Sequence, residues 1–170
     1  MTARALVAFA RECLSLKTVY VWGDLGEVLT HEFLDEKERA YPDFQSHEKW
    51  LELHRSVDGI TRGFDCSGLI KRFLMGGIRH FRYRNELDQN SFGLLNGAAL
   101  SGDIAQLPEI PGVCLYMHRH TGIYVGNGNV VEATPNPQFG NGVVRSKLSD
   151  RSWEQWYFCR GIDYPEGVPK

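Results

Sequence analysis

Cys66 stands where a thiol could act as a nucleophile. Leu69, Ile70, Phe73 and Leu74 follow it at helical spacing, Asp65 before it is a good N-cap, and Gly76 and Gly77 supply a stop. The first turn of a helix carries amides without intrahelical partners and the positive end of the dipole, a setting that lowers a thiol's pKa. The plainer alternative is a buried structural cysteine, since free cysteines rank among the most buried residues. A thiolate also needs a base. The run HTGIYVGNGNVVEA, from His120 to Ala133, offers one, because two apolar segments flank Gly126, Asn127 and Gly128 and read as a hairpin. With a three-residue loop, Val125 opposes Asn129, Gly122 opposes Glu132 and His120 opposes Thr134. Glu132 then lies diagonally beside His120, about 7–8 Å away at the backbone and within side-chain reach. A two-residue loop would send the two to opposite faces. The constellation is a Cys-His-acid triad: Glu132 holds the imidazole's tautomer and stabilises its cation, while the other ring nitrogen exchanges a proton with Cys66. Read alone, His120 is equally a strand-end histidine bonded to backbone.

A rival uses the same residues differently. His118 and His120, two apart on a strand, could join Glu132 in a two-histidine, one-carboxylate metal site. That pattern is short and common, and it leaves a cysteine at a helix start unexplained. The triad needs no metal or cofactor. The four cysteines are widely spaced with no CxxC unit, which argues against structural zinc or a redox dithiol. Cys13 and Cys114 read as core and Cys159 as core or strand edge, with a disulfide between two of these left open. Trp153 and Trp156 read as core or hairpin packing, with sugar stacking a lesser role.

These groups must be held by a single domain covering residues 1–170, of which 42% are hydrophobic. Residues 3–16 place Leu6, Phe9, Ala10, Cys13 and Leu14 on one face of a first helix. Residues 18–22 are β-branched and aromatic, with Tyr20 and Trp22 on one side, and stop at Gly23. Residues 24–62 turn charged, broken by Pro42 and Gly59, and read as an insertion of two short helices. The insertion is either a surface decoration or a groove wall built with Tyr41, Trp50 and His54. Residues 79–102 read as loop with one short helix. Strands follow at residues 113–117, 122–125 and 130–133, and a last one at 156–162. Helices first and antiparallel strands later make an α+β pattern.

Three motifs in this order, YVWG (20–23), FDCSGLI (64–70) and HTGIYVGNGNVVEA (120–133), resemble the NlpC/p60 family of cell-wall cysteine peptidases. The resemblance covers the first helix through Ala133, apart from the insertion, and extends to the closing strand. It implies a papain-like α+β core in which the nucleophile's helix packs on an antiparallel sheet carrying the histidine. It implies hydrolysis of peptidoglycan stem peptides, commonly between the γ-carboxyl of D-glutamate and the following diamino acid. Carried over by motif, Cys66 is the nucleophile, His120 the base, and Glu132 the third polar residue. Tyr20 places its hydroxyl near the oxyanion, and Asp65 and Ser67 line the pocket for the substrate's N-terminal portion. Two departures stand out: the third position is more often histidine in this family, and the insertion is long beside the usual short loop.

Two other functions fit the same residues: a peptidoglycan-binding module without turnover, and an amidase or acyltransferase acting elsewhere, since a triad does not name its substrate. A formal charge of −2 gives no broad cationic field, so no nucleic-acid partner is expected. No stretch reaches the roughly 18–20 apolar residues that span a bilayer, so no membrane insertion is expected. Arg11 and Glu12 cut short the apolar run after Ala5, so no signal peptide is seen. Action on the wall then calls for non-classical or phage-type release, with cytoplasmic recycling of wall peptides as the alternative.

Overall fold

The computed structural model describes residues 1–165. The helix α1 (Ala3–Leu14) starts at Thr2, whose hydroxyl accepts from the Ala5 amide, and ends two residues short of the expected span 3–16, where Ser15 caps it. Its inner face buries Leu6, Phe9, Ala10 and Cys13. The strand β1 (Thr18–Tyr20) runs parallel to β3 (Arg62–Phe64), and β2 (Leu25–Val28) pairs antiparallel on the other side of β3. Parallel pairing demands a long crossover. Residues 24–62 supply it with β2 and two helices, α2 (His31–Ala40) and α3 (His47–Arg55), capped by Thr30 and Ser46. These helices close their own small core of Val21, Leu29, Leu34, Trp50 and Leu53. The two helices match the pattern; β2 was not foreseen, since its four residues, LGEV, carry only two apolar side chains.

The helix α4 (Cys66–Leu74) follows, then the short α5 (Ser91–Asn96). A sheet of order β4-β9-β5-β6-β7-β8 completes the described chain: β4 (Leu100–Asp103), β5 (Cys114–Met117), β6 (His120–Gly126), β7 (Asn129–Thr134), β8 (Gly142–Lys147) and β9 (Gln155–Phe158). All its pairings are antiparallel. The chain is therefore α+β. Helices α1 and α4 cover one face, where Leu6, Leu69 and Ile70 meet Ile123, Val125, Val131 and Ala133. The other face buries Leu115, Tyr124, Val130, Trp153 and Trp156. Burial on both sides explains the near-continuous apolar runs of β6 and β7. No described helix is long and apolar enough to cross a membrane.

The hairpin between β6 and β7 reaches the anticipated register by another route. Its turn is the two-residue type, Asn127 and Gly128 at φ 54° and 66°. Gly126 pairs with Asn129, but Tyr124 pairs with Val130 and Ile123 with Val131, so one extra residue is accommodated as a bulge. That residue restores the parity a two-residue turn alone would have reversed. Gly122 is thereby opposite Glu132.

Asp24 ties the small sheet to the start of α4. It has no exposed surface; its Oδ1 accepts from the amides of Gly26 and Glu27, each at 3.1 Å, and its carbonyl accepts from the Asp65 amide at 3.0 Å. The helix comes so near that a Cβ on Gly68 would lie 2.0 Å from that carbonyl, which is why the residue after Ser67 is glycine. Burial pushes the Asp24 carboxyl up to about 7, against the opposing pull of the Glu27 amide and Lys37. Between the ordinary aspartate range and pH 7 the folded chain thus keeps a proton that the unfolded chain has released, and stability falls as pH rises through that window. Urea melts from pH 4 to 8 should show this decline, roughly 2–4 kcal/mol in total, and Asp24→Asn should flatten it.

Candidate active site

Cys66 is the first residue of α4, and its helix is capped by Asp65, whose Oδ1 accepts from the Gly68 amide and from Ser67 Oγ at 2.9 Å. Asp65 Oδ2 accepts from the Gly23 amide at 2.9 Å, so one carboxylate both caps the helix and anchors the segment after Tyr20. The thiol lies against the main chain of β6. Its sulfur is 3.9 Å from the carbonyl of Arg119, to which it donates, and the Thr121 amide points to it from the other side of His120. A helix start and a strand start thus meet at one sulfur.

The thiol is not acidified at rest. Burial first, then the neighbouring Asp65 charge, pushes Cys66 up to about 12, and the amides of Thr121 and Ser67 offset only part of this. A helix start supplies the favourable amides, but desolvation and the capping carboxylate outweigh them. Tyr20, also buried, lines the same cavity, and its hydroxyl is pushed above its ordinary range by burial and by the proximity of Cys66 and Asp65.

His120 opens β6. Nε2 lies 2.5 Å from Oε2 of Glu132, and Trp153 stacks on the ring with centroids 5.6 Å apart and planes 19° from parallel. Gly122 makes room for that indole, since a Cβ there would lie 2.9 Å from it. Glu132 has no exposed surface. Its Oε1 accepts from Ser146 Oγ at 2.5 Å and Arg151 Nε at 3.1 Å, and its Oε2 also accepts from Arg151 Nη2 at 2.8 Å. Burial would raise this carboxyl, but the bonds from His120, Arg151 and Ser146 hold it below the usual glutamate range. Ser146 and Arg151 had no signature in the sequence: a buried strand carboxylate implies a cation, but not which one.

The cavity in front of Cys66 measures about 790 Å³ and is lined by Tyr20, Asp65, Ser67 and Arg119 among others. Its far wall comes from residues 24–62 through Tyr41 and Phe44; Phe44 stacks on Trp22 at 4.3 Å. Of the three residues anticipated for such a wall, only Tyr41 is there. Trp50 is buried in the core of the helical pair, and His54 faces His31, their Nδ1 atoms 2.9 Å apart. The metal alternative fails on geometry. His118 and Arg119 form the turn between β5 and β6, so His118 is not on the strand with His120, and Arg151 already occupies Glu132. Among the described residues no cluster of three His, Cys, Asp or Glu is arranged to hold a metal ion. All four cysteines are free thiols.

The NlpC/P60 family model matches residues 52–161, more than half of the chain and a span that includes Cys66, His120 and Glu132. Among solved structures the fold is similar to that of NlpC2 from Trichomonas vaginalis, with a TM-score of 0.55 at 17% identity over 96% of this chain. The chain spans 47% of that protein's length, and at this identity the likeness is one of fold: a papain-like α+β core. No curated protein matches the sequence.

Replacing the buried acid should be costly. Glu132→Gln leaves the Arg151 cation buried without its counter-charge, and breaking such a pair costs about 3–5 kcal/mol. Chemical denaturation at pH 7 should register that loss. Because the folded carboxyl is held below its ordinary range, the wild-type advantage should shrink as the pH falls through and below the usual glutamate range.

Proposed function

The chain belongs to the NlpC/P60 family, and from that premise we propose that it is a cysteine peptidase that hydrolyses peptidoglycan stem peptides, at the bond between the γ-carboxyl of D-glutamate and the next diamino acid. Cys66 is the nucleophile, His120 its base, and Glu132 the acid that orients the ring. The observation that carries this reading is the sulfur at the start of α4 resting on the main chain either side of His120, whose ring is held by Glu132. With Nε2 committed to Glu132, Nδ1 is the nitrogen left to serve the sulfur.

The steps follow from that assignment. His120 takes the thiol proton as sulfur attacks the scissile carbonyl. The Cys66 amide and the Tyr20 hydroxyl stabilise the oxyanion. His120 then passes its proton to the leaving amine, and water, deprotonated by the same imidazole, releases the acyl group from sulfur. Asp65 and Ser67 line the same cavity. A carboxylate at that place suits the ammonium of a stem peptide's N-terminal residue.

A second reading keeps the site without turnover. The resting thiol is held protonated and bonded to a carbonyl rather than to the imidazole, as a peptidoglycan-binding module would tolerate. Incubation of purified peptidoglycan with wild type and Cys66→Ala, followed by mass spectrometry of released fragments, separates the readings. Release by wild type alone, with new termini at the γ-D-glutamyl bond, supports hydrolysis; equal release by both removes it, and pull-down without fragments supports binding alone. Fragments cut at another amide, or acyl groups transferred to an added amine, would instead indicate an amidase or acyltransferase on the same triad. Tyr20→Phe should lower kcat about a hundredfold with little change in KM, measured on a soluble stem peptide.

A further inference from the structure

Glu132 accepts a fork of two hydrogen bonds from a residue outside every motif that marks the site. Arg151 follows the short 3-10 turn after β8 and sends Nε to one carboxylate oxygen and Nη2 to the other, at 3.1 and 2.8 Å. Nη2 also donates to Thr134 Oγ1 at 3.0 Å, and the guanidinium lies over the Phe139 ring at 4.2 Å. It is 9% exposed, beside a carboxylate with no exposure. Such a pair is close to neutral as a unit, and a guanidinium fixes the plane of the carboxylate it grips.

That neutrality matters for the proton exchanged between Cys66 and His120. With Arg151 present, the set of thiolate, imidazolium, carboxylate and guanidinium carries no net charge, and neither does the set of thiol and neutral imidazole. Without Arg151 the same transfer runs at a net charge of −1 before and after, and the thiolate forms in the field of an uncompensated buried carboxylate. The other charged or titratable groups facing Cys66 are Asp65 and Lys71 from α4, Tyr20 from β1 and Arg119 from the β5–β6 turn. Lys71 is paired with Asp88 at 2.6 Å, and the Arg119 guanidinium lies over Trp22 at 5.8 Å. Around Glu132 the hydrogen-bond donors are His120, Ser146 and Arg151, so Arg151 is the only permanent cation bonded to it among the described residues.

We propose that Arg151 is a positioning residue for the reaction, one that fixes the Glu132 carboxylate against His120 and cancels its charge, so that the thiolate formed when Cys66 passes its proton to the ring does not form in the field of a bare buried anion. This rests on the hydrolase reading above. It is tested by the pH dependence of Cys66 alkylation with iodoacetamide, followed by peptide mapping, in wild type, Arg151→Gln and Arg151→Lys whose folding has been checked by circular dichroism. Arg151→Gln should move the alkylation midpoint to higher pH and slow the reaction about tenfold at a fixed pH below it. Arg151→Lys keeps the charge but not the fork, so its midpoint should stay with wild type while kcat on a stem peptide falls and KM holds. A folded Arg151→Gln with the wild-type midpoint overturns the proposal. Should that variant not fold, Arg151→Lys decides, because a midpoint displaced despite the retained charge overturns it equally. Alkylation needs no substrate, so a wild type that releases nothing from peptidoglycan would remove the hydrolase reading while leaving the charge-balance test intact.

Discussion

A carboxylate with no exposed surface has to be held by donors on every side, and Glu132 is where that requirement organises this molecule. Burial disfavours its charge, yet bonds from His120, Ser146 and Arg151 keep it ionised. Each donor comes from a different piece of chain: the start of β6, the far end of β8 and the connection into β9. Those pieces must all be in register for any of the bonds to form. The bulge before Gly126 is part of the same requirement, because one residue fewer on β6 would turn His120 to the other face of the sheet from Glu132.

The helical half depends on a second carboxylate in a comparable way. Asp65 caps α4, binds the Gly23 amide and, through its own amide, joins the Asp24 carbonyl. This fixes where Cys66 begins its helix and where Tyr20 and Trp22 stand relative to it. The glycine at position 68 records how closely the two backbones pass. The two halves therefore meet at a sulfur that donates to main chain on the strand side, and a main-chain contact is insensitive to side-chain substitution.

What the sequence made legible was what local rules control. The cap and apolar stripe of α4 and the turn residues between β6 and β7 are each written within ten residues of chain, and the structure follows them. Less was legible where the signal is long-range. Arg151 reaches Glu132 across nineteen positions with no periodicity to mark it. The strand β8 places Val143 and Val144 side by side and follows them with Arg145 and Lys147, so no clean alternation marks it. Residues 24–62 show two helices in their pattern, but which side chains turn inward depends on the core those helices share. Trp50 and His54 went there or to the surface while Tyr41 and Phe44 went to the cavity. The Cys66 thiol is the sharpest case: the helix dipole is a sequence-level inference, whereas desolvation is a property of the finished fold.

That thiol also links the two carboxylates. Burial and the Asp65 charge together hold the sulfur protonated. Under the proposed function, an ammonium group bound beside Asp65 would offset the second of these contributions, and displacement of the Arg119 carbonyl as the thiol's partner would free its proton for the imidazole. Substrate binding would then do more than position the scissile bond: it would relieve the charge that opposes thiolate formation. A stem peptide whose N-terminal amine has been acetylated should accordingly lose kcat as well as affinity, and its loss in kcat should narrow in Asp65→Asn, where there is no charge left to offset. A penalty confined to KM would mean that the amine is a handle for binding alone, and that the thiol is activated entirely from the side of His120, Glu132 and Arg151.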